Sequence, residues 1–113
     1  MKDRFIFIAA ALESIELIQS YTAGYDLPGF LEDRKTQDAV IRNLEIIGQA
    51  LKDFGVEQLL IVQPTIPWRE IAGMRNVLAH EYLGVDAVMV WETVQINLEP
   101  LRQALEKMMM QNE

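Results

Sequence analysis

The tightest constraint on this chain lies in its last quarter, where Ala87, Trp91, Val94, Leu98, Leu101, Leu105 and Met108 follow one another in steps of 4, 3, 4, 3, 4 and 3. At about 3.6 residues per turn these side chains form one stripe, so the segment has to be an amphipathic helix buried along one side. Asp86, directly before it, is suited to be its N-cap. Pro100 keeps the spacing but has no N–H to give, which predicts a kink or a split at that point.

Apolar spacing of three and four recurs upstream. A first helix from about Asp3 to Tyr21 sets Phe5, Ile8, Leu12 and Ile15 on one stripe and Phe7, Ala11 and Ile18 on a neighbouring one, so it is apolar over more than one face. Gly24 and the Asp26-Leu27-Pro28-Gly29 run supply breaker chemistry and read as a loop. A second long helix runs from about Leu31 to Phe54 through Val40, Leu44, Ile47 and Leu51, closed by Gly55. Leu59 to Val62 has the apolarity of a short buried strand, but a lone strand has no partner; residues 56–66 are read as a connector or a short helical turn. Thr65 and Pro67 open a further helix that reaches about Tyr82 and ends at Gly84. The expectation is an all-α, up-down bundle of four to five helices, one domain over residues 1–113, a length with no room for a second core.

Half of the residues are apolar, which excludes disorder, and no uninterrupted apolar run approaches the ~18 residues of a membrane span. Phe5 to Leu12, the longest, is flanked by Lys2, Asp3, Arg4 and Glu13 rather than by signal-peptide features, so the expected location is the cytoplasm, with no membrane partner. There is no Cys and a single His, which excludes thiol chemistry and leaves no recognisable metal-ligand spacing; no metal and no cofactor are expected. Ten Lys and Arg against 17 Asp and Glu give a net charge of −7, so the molecule as a whole repels polyanions. Nucleic-acid chemistry would have to sit in a local basic cleft.

One cluster does not fit a plain bundle. On a wheel of about 100° per residue, Trp68, Ile71, Ala72, Met74, Leu78 and Ala79 share an arc, and Arg75 falls in the middle of it with Tyr82 alongside. A guanidinium there has to be paired, to snorkel, or to face a partner surface or wet cleft. His80 lies five residues on, roughly 140° round the helix, with Asn76 one turn before it on its own face. A groove that wraps the helix, or one formed between two chains, would hold both; as a lone residue near a helix end, His80 also fits as a simple dipole partner.

The stretch Arg75-Asn76-Val77-Leu78-Ala79-His80-Glu81-Tyr82, led in by Ile66-Pro67-Trp68-Arg69-Glu70-Ile71-Ala72-Gly73-Met74, resembles the signature of HEPN-domain toxins of the HepT type. Val85-Asp86 and Val90-Trp91 after it, and Ala39 to Gly48 upstream, are similar to the same family; Gln49 departs from it, where many members carry Glu. The resemblance covers nearly the whole chain. It implies a HEPN fold, a homodimer, and metal-independent endoribonuclease activity at the dimer cleft with Arg75 and His80 catalytic. It further implies a minimal nucleotidyltransferase antitoxin as partner, which neutralises the toxin by adding AMP to Tyr82.

The chemistry of these side chains is compatible with that expectation. Cleavage of RNA by its own 2′-hydroxyl needs a base, an acid for the leaving 5′-oxygen, and a cation for the charge gathering on phosphorus. Arg75 suits the last task and His80 either of the first two. A two-fold dimer supplies the second His that one chain lacks. Asn76 is placed to bond phosphate or orient His80, and Arg69 either guides RNA phosphate or is an exposed structural arginine. The rival expectation is a non-catalytic HEPN dimerisation module that binds and regulates a nucleotidyltransferase. The dimer is expected to bury the first and last helices, or to form around residues 67–82, because the first helix has more apolar faces than one small core uses.

Overall fold

The computed structural model describes residues 4–69, 71–73 and 86–112. Among these residues the secondary structure is helical with no strand: α1 is Phe5–Thr22, α2 Leu27–Leu31, α3 Arg34–Phe54, α4 Val56–Val62 and α5 Ala87–Asn112, with further helical residues at 68–69 and 71–73. The all-α bundle read from apolar spacing is the observed architecture.

The run expected as a loop after α1 is instead a short helix. Asp26 Oδ1 accepts from the Gly29 N–H at 2.8 Å and Pro28 sits in the first turn, so the same residues that break one helix start another. α2 drives Phe30 into the core against Trp91, ring centres 5.2 Å apart. A second cap follows at once. Asp33 accepts from the Thr36 N–H at 3.0 Å, and α3 therefore begins at Arg34 rather than Leu31.

Gly55 closes α3 as expected, with φ of +118°. A side chain there would be strained, and a Cβ would stand 2.9 Å from the Arg4 guanidinium. The apolar run after it is α4, two turns long, satisfied by bonds such as Gln63 N–H to the Leu59 carbonyl at 2.9 Å. Leu59 is buried while Ile61 is 80% exposed, so this run is no buried strand.

At the start of α5, Asp86 Oδ1 accepts from the Val88 N–H at 2.9 Å, the cap expected of it. The helix then runs on through Pro100 without splitting, carrying Val94, Leu98, Leu101, Leu105 and Met108 into the core on both sides of the proline. Losing one backbone bond does not divide a helix whose buried stripe is continuous across the gap.

α1 packs against both α3 and α5. Its buried line is Ile8, Ala11, Ile15 and Ile18, with Phe5, Phe7 and Leu12 half-buried on either side. The wide apolar surface of this helix is thus used in part within the chain, while Ile6, Leu17 and Tyr21 stay exposed. α1 is long and apolar enough to cross a membrane by composition, yet a third of that window is buried in the bundle and it carries Glu13 and Glu16.

Side-chain contacts give the directions. Phe5 at the start of α1 meets Phe54 at the end of α3, ring centres 5.5 Å apart, so these helices are antiparallel. Phe5, Phe54 and Met108 line one cavity at that end, while Phe30, just before α3, touches Trp91 early in α5. α5 therefore runs parallel to α3. The chain between Val62 and Ala87 has to return from the C-terminal end of α3 to its N-terminal end.

Candidate functional site

That return leg carries the residues singled out above. Arg75, Asn76, His80 and Tyr82, together with the expected helix end at Gly84, lie outside the described residues; Arg69 and the approach to the motif lie within them.

The approach is held by one large side chain. Trp68 is fully buried, and its Nε1–H donates to the Gln63 carbonyl at 2.7 Å, tying the leg to the end of α4. Pro67 precedes the helical residues, and its carbonyl accepts the first helical bond, from the Ile71 N–H at 3.0 Å. Of the apolar arc drawn on the wheel, Trp68 and Ala72 are buried and Ile71 half-buried, so the described part of that arc faces the core. Arg69, Ala72 and Gly73 face a cavity shared with Lys52 and Val56, whereas Ile71, on another side of the leg, shares a small gap with Leu44, Ile47, Leu98 and Leu101.

Arg69 is exposed and forms an ion pair with Glu57, twelve positions earlier on α4. It borders a surface cavity of about 250 Å³ lined by Lys52, Val56, Arg69, Ala72 and Gly73. Two cations, one of them paired with Glu57, thus share a cavity with Val56, Ala72 and Gly73 in a chain of net charge −7. Lys52 and Glu57 were not distinguished by the sequence. Lys52 reads as an ordinary dipole partner in the last turn of α3, and its place beside Arg69 follows from the turn at Gly55. Gln49, the position that departs from the family pattern, donates to Asp53 Oδ1 at 2.9 Å on the same helix.

A second cavity, of about 210 Å³, lies among Arg4, Phe5, Phe54, Gln58, Val62, Met108 and Gln111. The cation among its described lining residues is already engaged: Arg4 donates to the Phe54 carbonyl and lies over the Phe54 ring, 4.8 Å from the ring centre. Among the described residues no three Asp, Glu or His side chains gather as a metal site requires.

Comparison with known proteins bears on the whole of this framework. Residues 11–108 match the model of the family described as "Ribonuclease HepT-like". The chain is 46% identical over 96 residues to a "Probable ribonuclease HepT" of Thermococcus cleftensis, covering 85% of this chain and 86% of that one. It is 41% identical over 108 residues to a "Gamma-glutamylcyclotransferase and putative RNase" of Methanocaldococcus jannaschii, covering 96% of this chain but 48% of that longer protein. A "Putative RNase" of Caldanaerobacter subterraneus is 32% identical over 109 residues, 96% of each chain. No solved structure matches the chain.

Proposed function

Because the chain belongs to the HepT-like ribonuclease family, we propose that it is a cytoplasmic, metal-independent endoribonuclease, the toxin of a prokaryotic toxin-antitoxin pair. The observation that carries this reading is a complete Arg75-x4-His80-x-Tyr82 motif within the matched span 11–108.

In this reading the Arg75 guanidinium holds the scissile phosphate and stabilises the charge that develops on it, since its fork matches two phosphate oxygens and never deprotonates. His80 moves a proton. In one direction it takes the proton from the 2′-hydroxyl as that oxygen attacks phosphorus; in the other it gives a proton to the departing 5′-oxygen. A homodimer brings two His80 side chains to one cleft, which lets one serve as base and the other as acid. Asn76 orients His80 or bonds phosphate, and Arg69 guides the strand. Exposed apolar side chains at Ile61, Val62, Ile96 and Met110 are available for such an interface. A minimal nucleotidyltransferase antitoxin silences the enzyme by adding AMP to Tyr82.

The deciding experiment is incubation of the purified chain and of its His80→Ala variant with RNA in EDTA. The expected result is cleavage by the first and none by the second. Absence of cleavage by the unaltered dimer, with retained binding to a nucleotidyltransferase, would assign the chain to regulation by binding instead.

A further inference from the structure

We propose that Lys52 and Arg69 form a phosphodiester-binding subsite for the RNA strand next to the motif, and that Glu57 competes with the strand for Arg69. The inference rests on the ribonuclease reading for its ligand, and on the geometry of the described residues for its place.

Three elements converge on the cavity: the last turn of α3 gives Lys52, the first residue of α4 gives Val56, and the approach to the motif gives Arg69, Ala72 and Gly73. Among the described lining residues the two charged ones, Lys52 and Arg69, are both cationic, with Glu57 paired to the second. Gly73 precedes Arg75 by two residues, at most about 8 Å of backbone, so a strand held at the motif passes within reach of this cavity. With a net charge of −7 the chain offers an approaching polyanion no general attraction, and paired cations beside the motif supply a local one.

An oxyanion already occupies one of those cations. The Glu57 carboxylate pairs with the Arg69 guanidinium, which shows that an acceptor from outside its own helix reaches it. The two side chains are 64% and 78% exposed, and an exposed pair of this kind is weak and easily exchanged. A phosphodiester offers the guanidinium the same two-oxygen face as the carboxylate and offers Lys52 a further contact. Binding of RNA therefore displaces Glu57, and Glu57 sets a threshold that weakly held strands do not pass.

The test uses the full chain and a fluorescent 2′-O-methyl oligoribonucleotide, which lacks the attacking hydroxyl and so reports binding apart from cleavage. Anisotropy is read over a series of KCl concentrations for Lys52→Gln, Arg69→Gln and Glu57→Gln, with Arg34→Gln, an exposed arginine at the far end of α3, as control. Lys52→Gln and Arg69→Gln are each expected to weaken binding about three- to tenfold and to flatten the log–log salt slope by ~0.7. Glu57→Gln is expected to tighten binding about threefold, and Arg34→Gln to change nothing. On cleavable RNA the Lys52, Arg69 and Glu57 variants shift KM in the same directions with little change in kcat, and Arg34→Gln shifts neither. Unchanged affinity and slope in both cation variants, or no gain in Glu57→Gln, overturns the subsite. Binding as expected without cleavage of natural RNA would instead overturn the ribonuclease reading and leave the subsite standing.

Discussion

The indole N–H of Trp68 donates to the carbonyl of Gln63 at 2.7 Å, joining a fully buried side chain to the end of the preceding short helix. This contact anchors the start of the leg that leads to the motif. Trp68→Ala should cost about 3–5 kcal/mol, for the lost contacts and the cavity left behind. Trp68→Phe keeps an aromatic side chain but leaves the Gln63 carbonyl only its longer bond from the Ile66 N–H at 3.4 Å, and should cost about 1 kcal/mol for the lost bond. Urea unfolding of both variants measures this; a Phe variant as stable as the parent would remove the hydrogen bond from the account.

Two carboxylates make stability fall in acid. Asp33 is held down to about 2, first by the Tyr25 hydroxyl and then by the Thr36 backbone and hydroxyl. Glu99 is also held at about 2, chiefly by Arg102, with help from Gln19 on α1 and from Gln103. Both are lower when folded than unfolded, so the unfolded chain binds more protons between about pH 4 and pH 2. Their contribution is complete above about pH 4.5 and disappears as the pH falls through that window. Asp33→Asn and Glu99→Gln should each be less stable than the parent at neutral pH, with the difference shrinking by pH 2–3. Thermal melts across that range check it; a constant difference would contradict it.

Cleavage should survive EDTA, because the proposed chemistry uses side chains alone. Arg75→Ala and His80→Ala should each lower kcat by at least about 10²-fold while melting within a few degrees of the parent. Loss of cleavage on chelation that Mg²⁺ restores would replace this mechanism. An Arg75 variant that unfolds would give that residue a structural task.

A homodimer is expected at micromolar concentration. Sedimentation equilibrium should return twice the 13.0 kDa chain mass. A monomer with full nuclease activity would show that a single His80 suffices.

Co-expression with the cognate nucleotidyltransferase should add one or more AMP units to the peptide containing Tyr82, and none to it in Tyr82→Phe. The phenolic oxygen displaces pyrophosphate from the α-phosphorus of ATP, leaving a phosphodiester close in sequence to Arg75. AMP mapped to another side chain, or equal protection of the Phe variant, would exclude this route of inhibition.

Local physics made much of this protein legible from its residues. The seven-residue stripe of α5, its Asp86 cap and the Gly55 stop depend only on spacing and on backbone chemistry within a few residues, and the structure repeats them. Breakers were read less well: Asp26 and Pro28 both end and begin helices, and only the burial of Phe30 against Trp91 selects the second outcome. Pro100 likewise stays inside a helix because packing on both sides outweighs one lost bond. The apolar width of α1 is read as a sign of a partner chain; the structure lays one side of it, Ile8, Ala11, Ile15 and Ile18, against α3 and α5 and leaves Ile6, Leu17 and Tyr21 exposed. Spacing counts apolar faces but does not say which neighbour covers them. The motif is a statement of sequence, since its residues are close along the chain. The pairing of Arg69 with Glu57, and the cavity that brings Lys52 to them, join three elements through the turn at Gly55, and such contacts exist only once the tertiary structure has formed.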